Sequence, residues 1–94
     1  TPRMALVLKT DNTQIPFDTF TLEGLQAAVG GLIEVCRAHT GHVLICNEEG
    51  KNDGLPLNRL ATALYVYGGD DPLVGDVVLL SRREWDAMNA EDDD

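Results

Sequence analysis

An apolar strand that runs straight into a polar, glycine- and proline-bearing segment is the feature that most constrains this chain. Leu44-Ile45-Cys46 is followed by Asn47-Glu48-Glu49-Gly50-Lys51-Asn52-Asp53-Gly54-Leu55-Pro56-Leu57-Asn58. Such a run ends an apolar element and returns the chain to the surface with donors, acceptors and both signs of charge, which is how a fold presents a site. Asn, Asp, Gly and Pro are also favoured in turns for backbone reasons alone, and that is the plainer reading of the same composition.

The elements on either side follow from periodicity. Met4 to Thr10 reads as a strand ended by Asp11-Asn12, and Pro16 keeps Ile15 to Phe20 at a sheet edge or in a loop. Thr21 suits the N-cap of a helix from Leu22 to Val29, with Phe20 as the outer half of a hydrophobic staple and Gly30-Gly31 as the terminator. Leu32 to Cys36 and His42 to Cys46 read as a hairpin joined through Ala38 to Gly41. A second helix is expected from Leu57 to Leu64 with Pro56 in its first turn, and Gly68-Gly69-Asp70-Asp71-Pro72 as the most flexible loop. Val74 to Leu80, almost wholly apolar, is expected as a central strand. Ser81-Arg82-Arg83-Glu84 fits a capping box, starting a last helix from Arg82 to Met88 whose Trp85 and Met88 face the body.

The expected order is β-α-β-β-α-β-α. This is a single small α+β domain over residues 1–90, with helices on one face of a mainly antiparallel or mixed sheet and an acidic tail at 91–94. Ninety-four residues support one modest core. Thr1 is not an initiator, so the chain is expected to lack its first residues or to carry non-native residues at 1–3.

Three stretches carry a family resemblance: Leu25 to Val35, then Ile45 to Lys51 with Gly54 to Ala61, then Val74 to Leu80. In that order they resemble the domain-of-unknown-function family numbered 3846, small phage and bacterial proteins. Asn52-Asp53 and Tyr65 to Pro72 depart from the pattern. The resemblance implies no activity; it implies a phage or mobile-element setting in a bacterium, and with it a host protein as partner and the host cytoplasm as location.

Charge narrows the partner. Of the net charge of -9, most is C-terminal: residues 66–94 hold nine acids against two bases, and residues 1–65 seven against five. Such a chain repels nucleic-acid phosphates, so no nucleic-acid partner is expected, and no apolar run reaches the length of a membrane span.

No catalytic set is legible, and the chain is expected not to be an enzyme and to carry no cofactor. Glu48 and Glu49 are adjacent and point apart on an extended backbone. Ser81 is explained as a cap, and His42 and Cys46 lie four positions apart on one strand. The glycine pairs lack the spacing of a phosphate loop. Cys36, His39, His42 and Cys46 have a zinc-like spacing, but both cysteines fall in strands rather than knuckles, so no metal is expected and both read as buried thiols that the hairpin brings close.

The candidate binding residues are therefore Asn47, Glu48, Glu49, Lys51, Asn58 and Arg59. If the segment folds back so that they converge at the helix start, they form a docking surface for a protein, or hold a small anionic, nucleotide-like ligand on the free amide donors there. In the plainer alternative, Asn47 and Asn58 satisfy loop backbone while Lys51 and Arg59 pair with Glu48, Glu49 or Asp53. A virion component is the remaining expectation.

Overall fold

The computed structural model describes residues 5–90. The elements, in order, are β1 (Leu6–Leu8), β2 (Gln14–Pro16), α1 (Leu22–Val29), β3 (Ile33–Arg37), β4 (Val43–Asn47), α2 (Arg59–Leu64), β5 (Val77–Leu80) and α3 (Arg82–Ala90). The start of the first expected strand at Met4 and the acidic tail at 91–94 lie outside the described residues.

The five strands form one antiparallel sheet in the order β2-β1-β5-β4-β3, so β5 is central, as its apolar run requires. The domain is α+β. One strand beyond the expected order appears, because Gln14–Pro16 pairs with β1. It is an edge strand whose three residues are all exposed, the one place in a ladder where a proline, lacking an amide donor, is tolerated.

The helices occupy both faces of the sheet rather than one. Val43 and Ile45 of β4 and Val78 and Leu80 of β5 meet Leu25 and Val29 of α1, with Trp85 and Met88 of α3 against them. Leu44, Cys46 and Val77 point the other way and meet Ala61, Leu60 and Leu64 of α2. Side chains alternate across a strand, so a strand covered on both sides must be apolar at every position. All five residues of β4 are buried, and each large aliphatic side chain so covered contributes about 1.5–3 kcal/mol.

Local signals set the helix ends. Thr21 Oγ1 accepts from Gly24 N at 2.9 Å, and Gly30, at φ +82°, closes α1 as its amide returns to Gln26 O. At α3 the capping box closes in both directions: Glu84 N donates to Ser81 Oγ at 3.0 Å and Ser81 N to Glu84 Oε1 at 2.9 Å. Helix α2 starts later than expected. Leu57 is extended, bridging Val74, and Asn58 rather than Pro56 makes the start by accepting Ala61 N on its side chain.

Candidate functional site

The polar segment after β4 does fold back, over the β3–β4 hairpin. It walls a cavity of about 280 Å³ lined by Glu34, Cys36 and Cys46 from the hairpin, Asn47, Glu48, Lys51 and Asn52 from the segment, and Asp71, Leu73 and Val74 from the loop before β5. Of the six residues singled out in the sequence, Asn47, Glu48 and Lys51 reach this cavity; Glu49, Asn58 and Arg59 do not.

Asn58 is scaffold. It is 0% exposed, its Nδ2 donates to Leu8 O at 2.7 Å and to Gly75 O at 2.8 Å, and its Oδ1 caps α2. Both amide hydrogens and the carbonyl are thus spent on the protein, and no ligand can reach them. Asn47, 8% exposed, is committed in part, donating to Val29 O at 3.1 Å and accepting from Glu49 N at 2.8 Å. Glu49 accepts from Asn52 Nδ2 at 2.9 Å within the turn. Arg59 is exposed on the first turn of α2 and makes no ion pair among the described residues.

Lys51 is paired with Asp71 across the cavity, not with Glu48, Glu49 or Asp53. With Glu34, Glu48 and Asp71 facing that single ammonium, the cavity carries an excess of carboxylates and opposes an anionic ligand.

The thiols are the chemically distinctive part. Cys36 pairs with Leu44 and Glu34 with Cys46 in the β3–β4 register, so the two cysteines are diagonal neighbours on one face, with Sγ atoms 3.4 Å apart and no disulfide. Cys46 is buried, as expected, but Cys36 is only half-buried and lines the cavity. The hydrogen bond shared with Cys46 lowers the Cys36 pKa below the usual thiol range, against opposing burial and the Glu34 charge. That same bond, then burial and the neighbouring Cys36, push Cys46 far up. Cys36 is therefore the more nucleophilic thiol. The histidines take no part: His42 Nδ1 lies 2.6 Å from Thr40 Oγ1, and the His39 amide donates to Leu64 O. Glu34 stands where the spacing suggested a histidine, its carboxylate 4.0 Å from Cys46 Sγ. Sequence reasoning passed over Glu34, although two residues before Cys36 on one strand means the same face. Nothing in the Gly68 to Pro72 loop announced Asp71.

Beyond the cavity, β3 is the last strand of the sheet. The amide of Ala38 donates to His42 O and that of Glu48 to Leu32 O. Antiparallel ladders alternate, so residues 32, 34, 36 and 38 turn their backbone groups toward β4, while Ile33, Val35 and Arg37 turn theirs outward. Val66 N takes Arg37 O at 3.1 Å; among the described residues no strand adds to the edge at 33–36. Val35 and Leu32, 49% and 59% exposed, flank this open stretch. Beside Val35 lies a groove of about 260 Å³ lined by Val35, Arg37, His42, Arg82 and Trp85 among others, with Cys36 at its border.

The chain belongs to the family described as Domain of unknown function (DUF3846), which matches residues 3–93. No curated protein and no solved structure matches it. No helix among the described residues is long and apolar enough to cross a membrane.

Proposed function

We propose that this protein is a non-enzymatic binding module that holds an extended, acidic segment of another protein on the open edge of β3. The observation that carries the reading is the outward edge at 33–36, to which no strand adds among the described residues, with exposed Val35 on it and exposed Leu32 beside it. Four residues of edge span about 13 Å, enough for main-chain hydrogen bonds to supply affinity while a flanking groove supplies specificity. Arg37 and Arg82, the latter paired with Asp86 on α3, stand around Trp85 with no acid among the groove's lining residues, so carboxylates of the incoming segment find a counter-charge there, chiefly Arg37. In the phage setting that the family resemblance suggests, the partner is a host protein and the site of action the host cytoplasm. The net charge of -9 disfavours a second copy on the same edge. A nucleotide-like anion, the alternative from the sequence, loses support from the carboxylate excess in the cavity.

The test is Val35→Pro. The Val35 amide points outward, so proline removes a donor from the edge without removing a β3–β4 hydrogen bond. Pull-downs from host lysate at several salt concentrations compare wild type, Val35→Pro and a control at another exposed apolar residue, Leu22→Ser. Loss of a specific partner in Val35→Pro alone supports the proposal. Equal retention by a folded Val35→Pro protein, recovery of no partner, or an edge-dependent homodimer in light scattering overturns it.

A further inference from the structure

We propose that Glu34, Cys36 and Cys46 form a binding site for a thiophilic divalent cation of the zinc type, open to the cavity on its fourth side. This goes beyond the edge-docking reading and does not depend on it: Glu34 and Cys36 alternate with Val35 and Arg37 along β3, and of the three ligands only Cys36 also borders the groove that those two line.

Distance is the first argument. The ligand atoms of the three side chains all lie within 4.8 Å of one another. A tetrahedral zinc with Zn–S bonds of about 2.3 Å holds two sulfurs roughly 3.8 Å apart, and sulfur and carboxylate oxygen roughly 3.5 Å apart. The Sγ atoms stand at 3.4 Å and Cys46 Sγ to Glu34 Oε1 at 4.0 Å. These two differ from their targets by about half an ångström or less, and the Cys36–Glu34 pair, within 4.8 Å, has at most about 1.3 Å to close, which rotation of the exposed Glu34 side chain supplies.

The same geometry argues against the other fate of a close thiol pair. Diagonal neighbours across an antiparallel ladder have Cα atoms about 7–8 Å apart, whereas a disulfide is strained once they pass about 7 Å. Oxidation would therefore pull β3 and β4 together, while a cation accepts the sulfurs near their present separation.

Charge and access complete the case. Glu48 and Asp71 line the same cavity with only Lys51 to offset them, so a dication relieves a carboxylate excess that an anion would worsen. Two thiolates and one carboxylate leave the fourth tetrahedral position facing the cavity, available to water or to a donor of an incoming molecule. On binding, each thiol releases its proton to solvent and forms one metal–sulfur bond, with no change of oxidation state.

The experiment titrates the reduced full chain, under argon and after chelator treatment, with Co²⁺ and then Zn²⁺. It reads the thiolate-to-cobalt charge-transfer absorption and the melting temperature. The expected result is one cobalt per chain, a thiolate absorption displaced by zinc, and a melting temperature that rises with zinc. Cys36→Ser should abolish the absorption and the thermal shift, and Glu34→Gln should weaken zinc binding by about tenfold or more, because losing a ligand costs at least as much as losing an outer-shell partner. Cysteine to serine is nearly isosteric and Cys36 lies at the border of the core rather than within it, so the serine variant is expected to fold, and far-ultraviolet circular dichroism checks this. No thiolate absorption, binding unchanged in Cys36→Ser, binding unchanged in Glu34→Gln, or zinc uptake without a thermal shift would each overturn the site.

Discussion

Replacing Asn58 by Ala should be among the most damaging single changes in this domain, although the residue sits in a polar segment that reads as a surface site. Three consequences add. The Ala61 amide loses its cap, which costs about 0.5–2 kcal/mol. The carbonyls of Leu8 and Gly75 lose their donor in a place no solvent reaches, at about 1–3 kcal/mol for each that finds no substitute. The deleted side chain also leaves a void between β1, the loop before β5 and α2. A loss of about 3–5 kcal/mol is expected, a large part of the roughly 5–14 kcal/mol that a chain of this length holds. In a thermal melt this is a drop of about 12 °C or more. Urea unfolding followed by circular dichroism measures it, with Asn58→Ser beside it. Serine keeps a capping oxygen but cannot span the two carbonyls, so it should recover only about 1 kcal/mol. If Asn58→Ala costs under about 1 kcal/mol with an unchanged m-value, or if serine restores full stability, the three-way bridge does not hold the domain together and this reasoning fails.

Three further outcomes follow from the same geometry. Lys51→Ala should shift the melt by less than about 5 °C, because its pair with Asp71 is solvent-exposed and worth about 0–1 kcal/mol; a larger loss would make the pair structural. In native, metal-free protein a thiol reagent should label Cys36 first and leave Cys46 unlabelled until denaturant is added, read by mass spectrometry of peptides. Equal rates at the two positions would contradict the asymmetry. Gly75→Ala should destabilise by about 1–3 kcal/mol in urea, since Gly75 holds φ +75° and an added Cβ would stand 2.7 Å from Leu55 Cδ1; a neutral result would mean that the loop shifts freely.

Much of the fold was legible where local chemistry and burial agree. Thr21, Gly30 and the Ser81–Glu84 box fixed helix ends because capping is decided within four residues. The unbroken apolar runs of β4 and β5 also carried a signal that the one-face reading missed: an antiparallel strand with a wet face alternates, and Val43 to Cys46 and Val77 to Leu80 do not. Strand β2 was illegible as a strand because three exposed residues ending in proline have no periodicity to read. The site was harder for a different reason. An asparagine that caps a buried helix and one that meets a ligand have the same side chain, and only the three-dimensional count of partners separates them. Position held a partial clue, since Asn58 stands three residues before the amide it caps, the ordinary N-cap spacing.

The two proposals meet on one strand and separate by parity. In β3 the even residues Glu34 and Cys36 line the cavity, while the odd residues Val35 and Arg37 line the groove on the opposite face, which Cys36 also borders. Their backbone groups divide in the same way, even ones bonded to β4 and odd ones turned outward. A strand with a period of two therefore presents a ligand set and a docking edge within five residues, without either function consuming the other's atoms. Substitution at 34 or 36 should alter metal binding and leave partner capture intact, and Val35→Pro should do the reverse, with both readouts taken on the same purified variants. If Val35→Pro abolishes cobalt binding in a protein that remains folded, the two faces are coupled through the register of the β3–β4 ladder, and the edge and the cavity form one site.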